Sequence, residues 1–163
     1  MALLPILFFG NPVLRQKSKR VSGLDNSIRR LADDMLETMR AASGVGLAAP
    51  QIGQLLRVIV IEIPEQEPVI LLNPEIVKRA GEREVVEGCL SFPGYWGKIK
   101  RSVAVTVKGY TLKGKAIRLK ATNLLAQALE HEIDHLNGVL YTDYLESEED
   151  LYRSEQPPTS PGL

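Results

Sequence analysis

The stretch NLLAQALEHEIDHLNG, residues 123–138, decides how this sequence is read. Thr122 and Asn123 offer caps at its start and Asn137-Gly138 a left-handed stop, so the pattern predicts one helix between them. His131 and His135, the only two histidines of the chain, stand four residues apart on one helical face, within reach of a single metal ion. Followed backward, that stripe passes Ala128 and Leu124, which turns both imidazoles inward and leaves Glu130 and Asp134 pointing elsewhere. Glu132, beside His131, is placed to touch a water on such an ion without being a ligand. Histidines on an inward stripe are usually ordinary core residues. The joint accident of this spacing with this glutamate is on the order of 1 in 1,000, which favours the metal.

Catalytic centres of the zinc type take three protein ligands and keep a fourth position for water. With no third histidine, the remaining ligand is a carboxylate or the lone thiol, Cys89, in Glu87-Gly88-Cys89-Leu90-Ser91. Gly88 there lets backbone approach an ion closely. One rival is a thermolysin-like peptidase with Glu146, Glu148, Glu149 or Glu155 as third ligand, but that polar segment is a poor platform for rigid coordination. The longer metzincin pattern fails at Tyr141, where it needs a histidine. A non-enzymatic domain with a structural metal is the other rival. Such sites want four protein ligands, and one cysteine plus two histidines fall short.

Outward from this helix, residues 24–42 repeat apolar side chains at helical spacing behind Asp25, Asn26 and Ser27, which predicts an N-terminal helix. The run GVGLAAPQIG at 44–53 breaks that pattern and leads into a strand-like 57–63. Further strands are expected at 69–73, 76–80, 83–86, 103–108 and 116–121, with Lys113-Gly114 in a hairpin connection. Without βαβ alternation, the fold class is α+β: mainly antiparallel sheets around the central HExxH-bearing helix, with an N-terminal helix.

The chain has 163 residues, 44% hydrophobic and 25% charged, enough for one self-sufficient domain. We expect it to span 1–145, with 146–163 an acidic and then proline-rich, flexible tail. A single cysteine forbids an internal disulfide. Twenty Lys and Arg balance twenty Asp and Glu, so no bulk field draws nucleic acid or an anionic membrane, and no nucleic-acid specificity is expected. MALLPILFFG, residues 1–10, lacks a basic leader and reads as buried extended chain. No segment is apolar enough to cross a bilayer. The expected location is cytoplasmic, or an organelle if a transit segment has been removed.

GVGLAAPQIG at 44–53, EGCLS at 87–91 and HEIDH at 131–135 occur together in the order and spacing of peptide deformylases, and the chain resembles that family along roughly residues 5–145. The resemblance implies Cys89, His131 and His135 as metal ligands, Glu132 as catalytic acid and base, and Gln51 with the Leu90 N–H as donors to the oxyanion. It further implies substrate contacts at Gly44, Val45, Gly46, Val85, Gly88, Leu124 and Ala128. Gly46 would face the formyl group, and the apolar members would receive a methionine side chain. Gln127 departs from the apolar residue often found there, which implies a more polar rim. Trp96 stands where some relatives carry an arginine. The implied cofactor is one divalent ion per chain, Fe²⁺ in cells, with Zn²⁺, Ni²⁺ or Co²⁺ in purified protein. The implied partners are N-formylmethionyl nascent peptides, with transient ribosome association. Glycines at 44 and 46 leave backbone bare for an extended peptide to pair with.

Overall fold

A computed structural model describes residues 2–154. Its first helix, α1 (Asn26–Ala41), begins where the Asp25 carboxylate accepts from the Ile28 N–H at 3.1 Å, satisfying one of the donors that every helix start leaves open. Ile28, Ala32, Met35 and Met39 form its buried face. The second helix, α2 (Asn123–Leu136), follows Thr122 and stops at Asn137, with Gly138 at φ +74°. A side chain at 138 would also run into the Arg15 carbonyl at 2.6 Å, so glycine is required twice over.

Five antiparallel strands form one sheet: β1 (Gly46–Ala48), β2 (Val58–Ile61), β3 (Val69–Ala80), β6 (Ala104–Tyr110) and β7 (Ala116–Thr122), in the order β1-β2-β3-β6-β7. A second, three-stranded antiparallel sheet has the order β4 (Arg83–Cys89), β5 (Phe92–Arg101) and β8 (Leu151–Arg153). The all-apolar β2 explains how two helices share one sheet. Val58 and Val60 pack with Met35 and Met39 of α1, while Ile59 and Ile61 pack with Leu129, Ile133 and Leu136 of α2. Successive strand residues face opposite ways, so a strand covered on both sides loses polar alternation. Leu129→Ala, in the α2 cluster at 0% exposure, is expected to cost about 2–5 kcal/mol, read as a lower urea midpoint at unchanged slope.

The expected strands at 69–73 and 76–80 are one strand, β3, whose pairing with β6 slips between Leu72 and Glu75 and again between Ile76 and Lys78. Pro74, which cannot donate to a ladder, sits in the first slip. β1 lies inside the run read as a break, and β5 was not expected at all. Residues 1–10 are a correction: the described part is extended but only half covered, with Leu3 63% and Phe8 58% exposed. Backbone bonds tie it down, Leu7 N–H to the Gln51 carbonyl at 2.7 Å and Phe9 N–H to the Ser91 carbonyl at 2.8 Å.

The tail expectation also needs correction before residue 155. Leu151–Arg153 pairs with β5 in the register Tyr95↔Arg153, Trp96↔Tyr152 and Gly97↔Leu151, because β5 leaves an edge whose polar backbone must be satisfied. Residues 155–163 of that expectation lie outside the described residues. No helix among the described residues is long and apolar enough to cross a membrane.

Candidate metal centre

Cys89 ends β4 at a tight hairpin, where it pairs with Phe92. His131 and His135 stand one turn apart on α2, with ring centroids 4.9 Å from each other. Packing α2 against the sheets brings all three together: one ligand atom from each lies within 4.8 Å of the others, and all three residues are buried. Zinc-type bond lengths at tetrahedral angles put sulfur and nitrogen about 3.5 Å apart, and Cys89 Sγ stands 3.4 Å from His135 Nε2.

Buried polar atoms without partners give the second test of fit. His131 Nε2 and both carboxylate oxygens of the adjacent Glu132 are buried without a hydrogen-bond partner. Native interiors rarely leave such groups unpaired, and a soft thiolate with two imidazoles forms a donor set for a divalent transition-metal ion. Burial drives the His135 pKa well below its ordinary value, whereas at His131 burial is overcome by the charges of Glu132, Glu87 and Cys89, which raise the pKa. Burial also pushes the Glu132 carboxyl up to about 7, with His131 pulling the other way. That value suits a group exchanging protons near neutrality.

His131 is aimed by a residue for which the sequence reading had no role. Its Nδ1 lies 2.6 Å from Glu87 Oε2, so Nδ1 donates and Nε2 is left free. Metal-binding histidines are commonly fixed in this way. Glu87 also accepts both arms of the Arg101 guanidinium, at 2.6 and 3.0 Å, and the Gln127 amide at 3.2 Å. Burial opposes the Glu87 charge, yet Arg101 and His131 hold its pKa down to about 2. Arg101 further donates to Asp134 at 2.8 Å, and Glu130 accepts from the Ser102 N–H at 2.8 Å. Glu130 and Asp134 do point away from the histidine cluster, toward Ser102 and Arg101 at the end of β5.

Gln51 is fully buried on the turn after β1. Its Oε1 accepts from the Ala48 N–H at 2.9 Å, and its Nε2 donates to Ser91 Oγ at 3.0 Å and to Cys89 Sγ at 3.5 Å. The Glu132 carboxylate lies against Gly46, where any Cβ would collide with it, and the Leu90 side chain fills the space a Cβ at Gly44 would need. Gly88, Cys89 and Leu90 open on a cleft of about 830 Å³, walled also by Leu3, Phe8 and Tyr95. Val45, Leu124 and Ala128 belong instead to the α2 core cluster, and Val85 packs with Cys89, Ile99 and Tyr141.

Gln127 is buried on Glu87, which replaces the polar rim expected of it. Trp96 lies flat against Gly88, lines the cleft, and donates from Nε1 to the Ser154 carbonyl at 3.2 Å. Sequence reasoning missed Glu87, Arg101 and the apolar N-terminal wall. Glu87 had one available signal, its place two residues before the cysteine; Arg101 had none.

A sequence profile of the family described as polypeptide deformylase matches residues 3–150. A peptide deformylase of Dehalococcoides mccartyi (strain CBDB1) is 53% identical over 153 residues, covering 93% of this chain and 92% of its own. The chain belongs to the peptide deformylase family. Solved structures of the family agree. A deformylase from Legionella pneumophila superposes with a TM-score of 0.87 at 45% identity, over 91% of this chain and 89% of that one. One from Synechococcus elongatus, in complex with actinonin, gives 0.88 at 43% identity, over 90% and 81%. Membership makes this chain an enzyme, a hydrolase of the deformylase class, with an α+β fold of mostly antiparallel sheets.

Proposed function

We propose that this chain removes the formyl group from the N-terminal formylmethionine of newly made polypeptides, releasing formate, with a divalent metal held by Cys89, His131 and His135. The observation that carries the reading is the buried thiol and imidazole pair within 4.8 Å, beside a carboxylate with no protein partner. When bound, such an ion supplies Lewis acidity and lowers the pKa of coordinated water toward about 7. Glu132 takes the proton of the attacking water and returns it to the departing amine. Gln51 Nε2 and the Leu90 N–H donate to the formyl oxygen as negative charge grows there, each worth about 2.7–4 kcal/mol when preorganised. Ser91 and the Ala48 N–H hold the Gln51 amide in one orientation, and the N–H that rests at 3.5 Å on Cys89 Sγ is the one that turns to the oxyanion.

β1 ends its sheet, which suits an extended peptide that pairs main chain to main chain, with Leu90 and Glu132 seated where side chains at 44 and 46 would stand. We assign the methionine to the apolar surroundings of Val45, Val85, Leu124 and Ala128, with Val85 in the same cluster as Cys89, and Gly88 lines the cleft with Trp96 in the space its Cβ would need. Thiolate with two imidazoles suits Fe²⁺ in cells and Zn²⁺, Ni²⁺ or Co²⁺ after purification. We place the reaction in the cytoplasm, on N-formylmethionyl nascent chains in transient association with the ribosome, in a single domain that includes β8.

The test is formate release from formyl-Met-Ala-Ser by anaerobically prepared protein, with elemental analysis of the same sample. The expected result is turnover with about one metal ion per chain in the wild type, and loss of both in Cys89→Ala. Cleavage of an internal bond in an unformylated peptide, without formate release, would overturn the reading. So would Cys89→Ala with full metal and activity.

A further inference from the structure

We propose that the outer face of strands β3, β6 and β7, which contributes no metal ligand, binds the phosphate backbone of single-stranded RNA. The zero net charge conceals an uneven distribution: from Ser102 to Leu129 the sequence carries five Lys or Arg and no Asp or Glu. Strand register gathers these cations with one from β3. Lys78 pairs with Thr106 and Thr106 with Lys120, while Lys108 pairs with Arg118 two residues along. Residues opposite each other, or two apart, share a face, so all four cations project together, and all four are exposed. They span about 10 Å across the strands and about 7 Å along them. Glu75, opposite Lys108, is the acidic residue on this face, and its 3.7 Å pair joins two side chains that are both more than half exposed. Lys78, Arg118 and Lys120 make no ion pair among the described residues.

Three further features point to a nucleic acid. Tyr110 lies on the same face as Lys108, with 41% of its surface exposed, and an aromatic ring among cations is the platform on which unpaired bases stack. Two depressions flank the Lys108–Arg118 rung, one of about 330 Å³ lined by Lys78 and Lys120, the other of about 160 Å³ lined by Arg20, Lys108 and Tyr110. Between Lys78 and Lys120, Thr106, 9% exposed in the lining of the larger depression, makes no side-chain hydrogen bond among the described residues, which leaves its hydroxyl for a 2′-OH that enters the depression, the group that separates RNA from DNA. Lysines on an edge strand also guard against sheet aggregation. That role accounts for β7 and not for Lys78, Lys108 or Tyr110, which stand on interior strands.

The probe is fluorescein-labelled (U)20, titrated with the full chain and followed by anisotropy. Micromolar half-saturation is expected at 50 mM KCl, weakening about 50-fold at 200 mM if four phosphates are neutralised. Arg118→Glu/Lys120→Glu should weaken binding about 20-fold or more, and Tyr110→Ala about 5-fold or more through lost stacking. Arg30→Glu/Arg153→Glu makes the same change in net charge elsewhere and should bind as wild type does. Circular dichroism of each variant keeps a folding defect apart from a binding defect. Absence of binding at 50 mM KCl would overturn the proposal, as would reversal variants that bind alike wherever the charge is placed. Equal affinity for (dT)20 would overturn the RNA assignment. Binding to phosphatidylglycerol vesicles together with indifference to Tyr110→Ala would mark the face as a membrane-surface patch instead.

Discussion

Glu132→Gln is expected to lower formate release by about 10²–10⁴-fold, the usual worth of a positioned general acid and base, while metal content stays at the wild-type level. The substitution keeps the shape of a side chain that is 0% exposed and pressed against Gly46, so the packing that seats it survives. What disappears is the proton acceptor. Burial sets the carboxyl at about 7, a poise that lets one group collect a proton from water and surrender it to an amine at neutral pH. Neither oxygen has a protein partner, so the amide breaks no existing hydrogen bond. KM for the formyl peptide should change little, because the loss belongs to the transition state. Activity within tenfold of wild type would remove Glu132 from proton transfer. Loss of metal would instead make it a ligand.

Elements whose reason is local were readable from the chain. Asp25 before an apolar stripe announces α1, and Asn137-Gly138 closes α2 because only a left-handed residue fits there. The histidine pair is legible for the same cause, since helix geometry alone puts residues four apart on one face. Elements whose reason is distant were not. β5 carries Pro93, Gly94 and Gly97, which read as loop. Gly97 is nevertheless needed inside a strand, because a Cβ there would strike Tyr141 at 2.9 Å. β8 is a strand because an edge of β5 is available to it, and nothing within Leu151–Arg153 says so. The N-terminal run was legible as apolar, but whether it lies inside a core or along the rim of a cleft depends on what stands opposite.

The buried polar network was least visible, and it carries the largest stability effect. Arg101→Met is expected to cost about 3–5 kcal/mol, a fall in Tm of about 6–20 °C for a chain of this size. The Arg101 side chain is 2% exposed and the Glu87 side chain 0%. Removing the guanidinium leaves a charge in the interior with only His131 and Gln127 to answer it. Arg101→Lys should fall between, since an ammonium keeps the charge but loses the fork that meets both Glu87 oxygens. Glu87 aims the ring of His131, so metal affinity should also drop about 10–100-fold, read by competition with a chelator. The acid response separates the ion pair from mere packing. In the wild type the Glu87 pKa is depressed to about 2, so the pair's contribution is fully present above the ordinary carboxyl range and is lost as pH falls toward that value. Without Arg101 the Glu87 pKa rises and the residue sheds its uncompensated charge at mild acidity. The gap in Tm between wild type and variant should therefore narrow between pH 7 and pH 5. A second substitution, Glu87→Gln, should recover part of the loss at pH 7. A gap independent of pH, with no recovery in the double variant, would mean that Arg101 acts by filling space and not by holding the charge that orients His131.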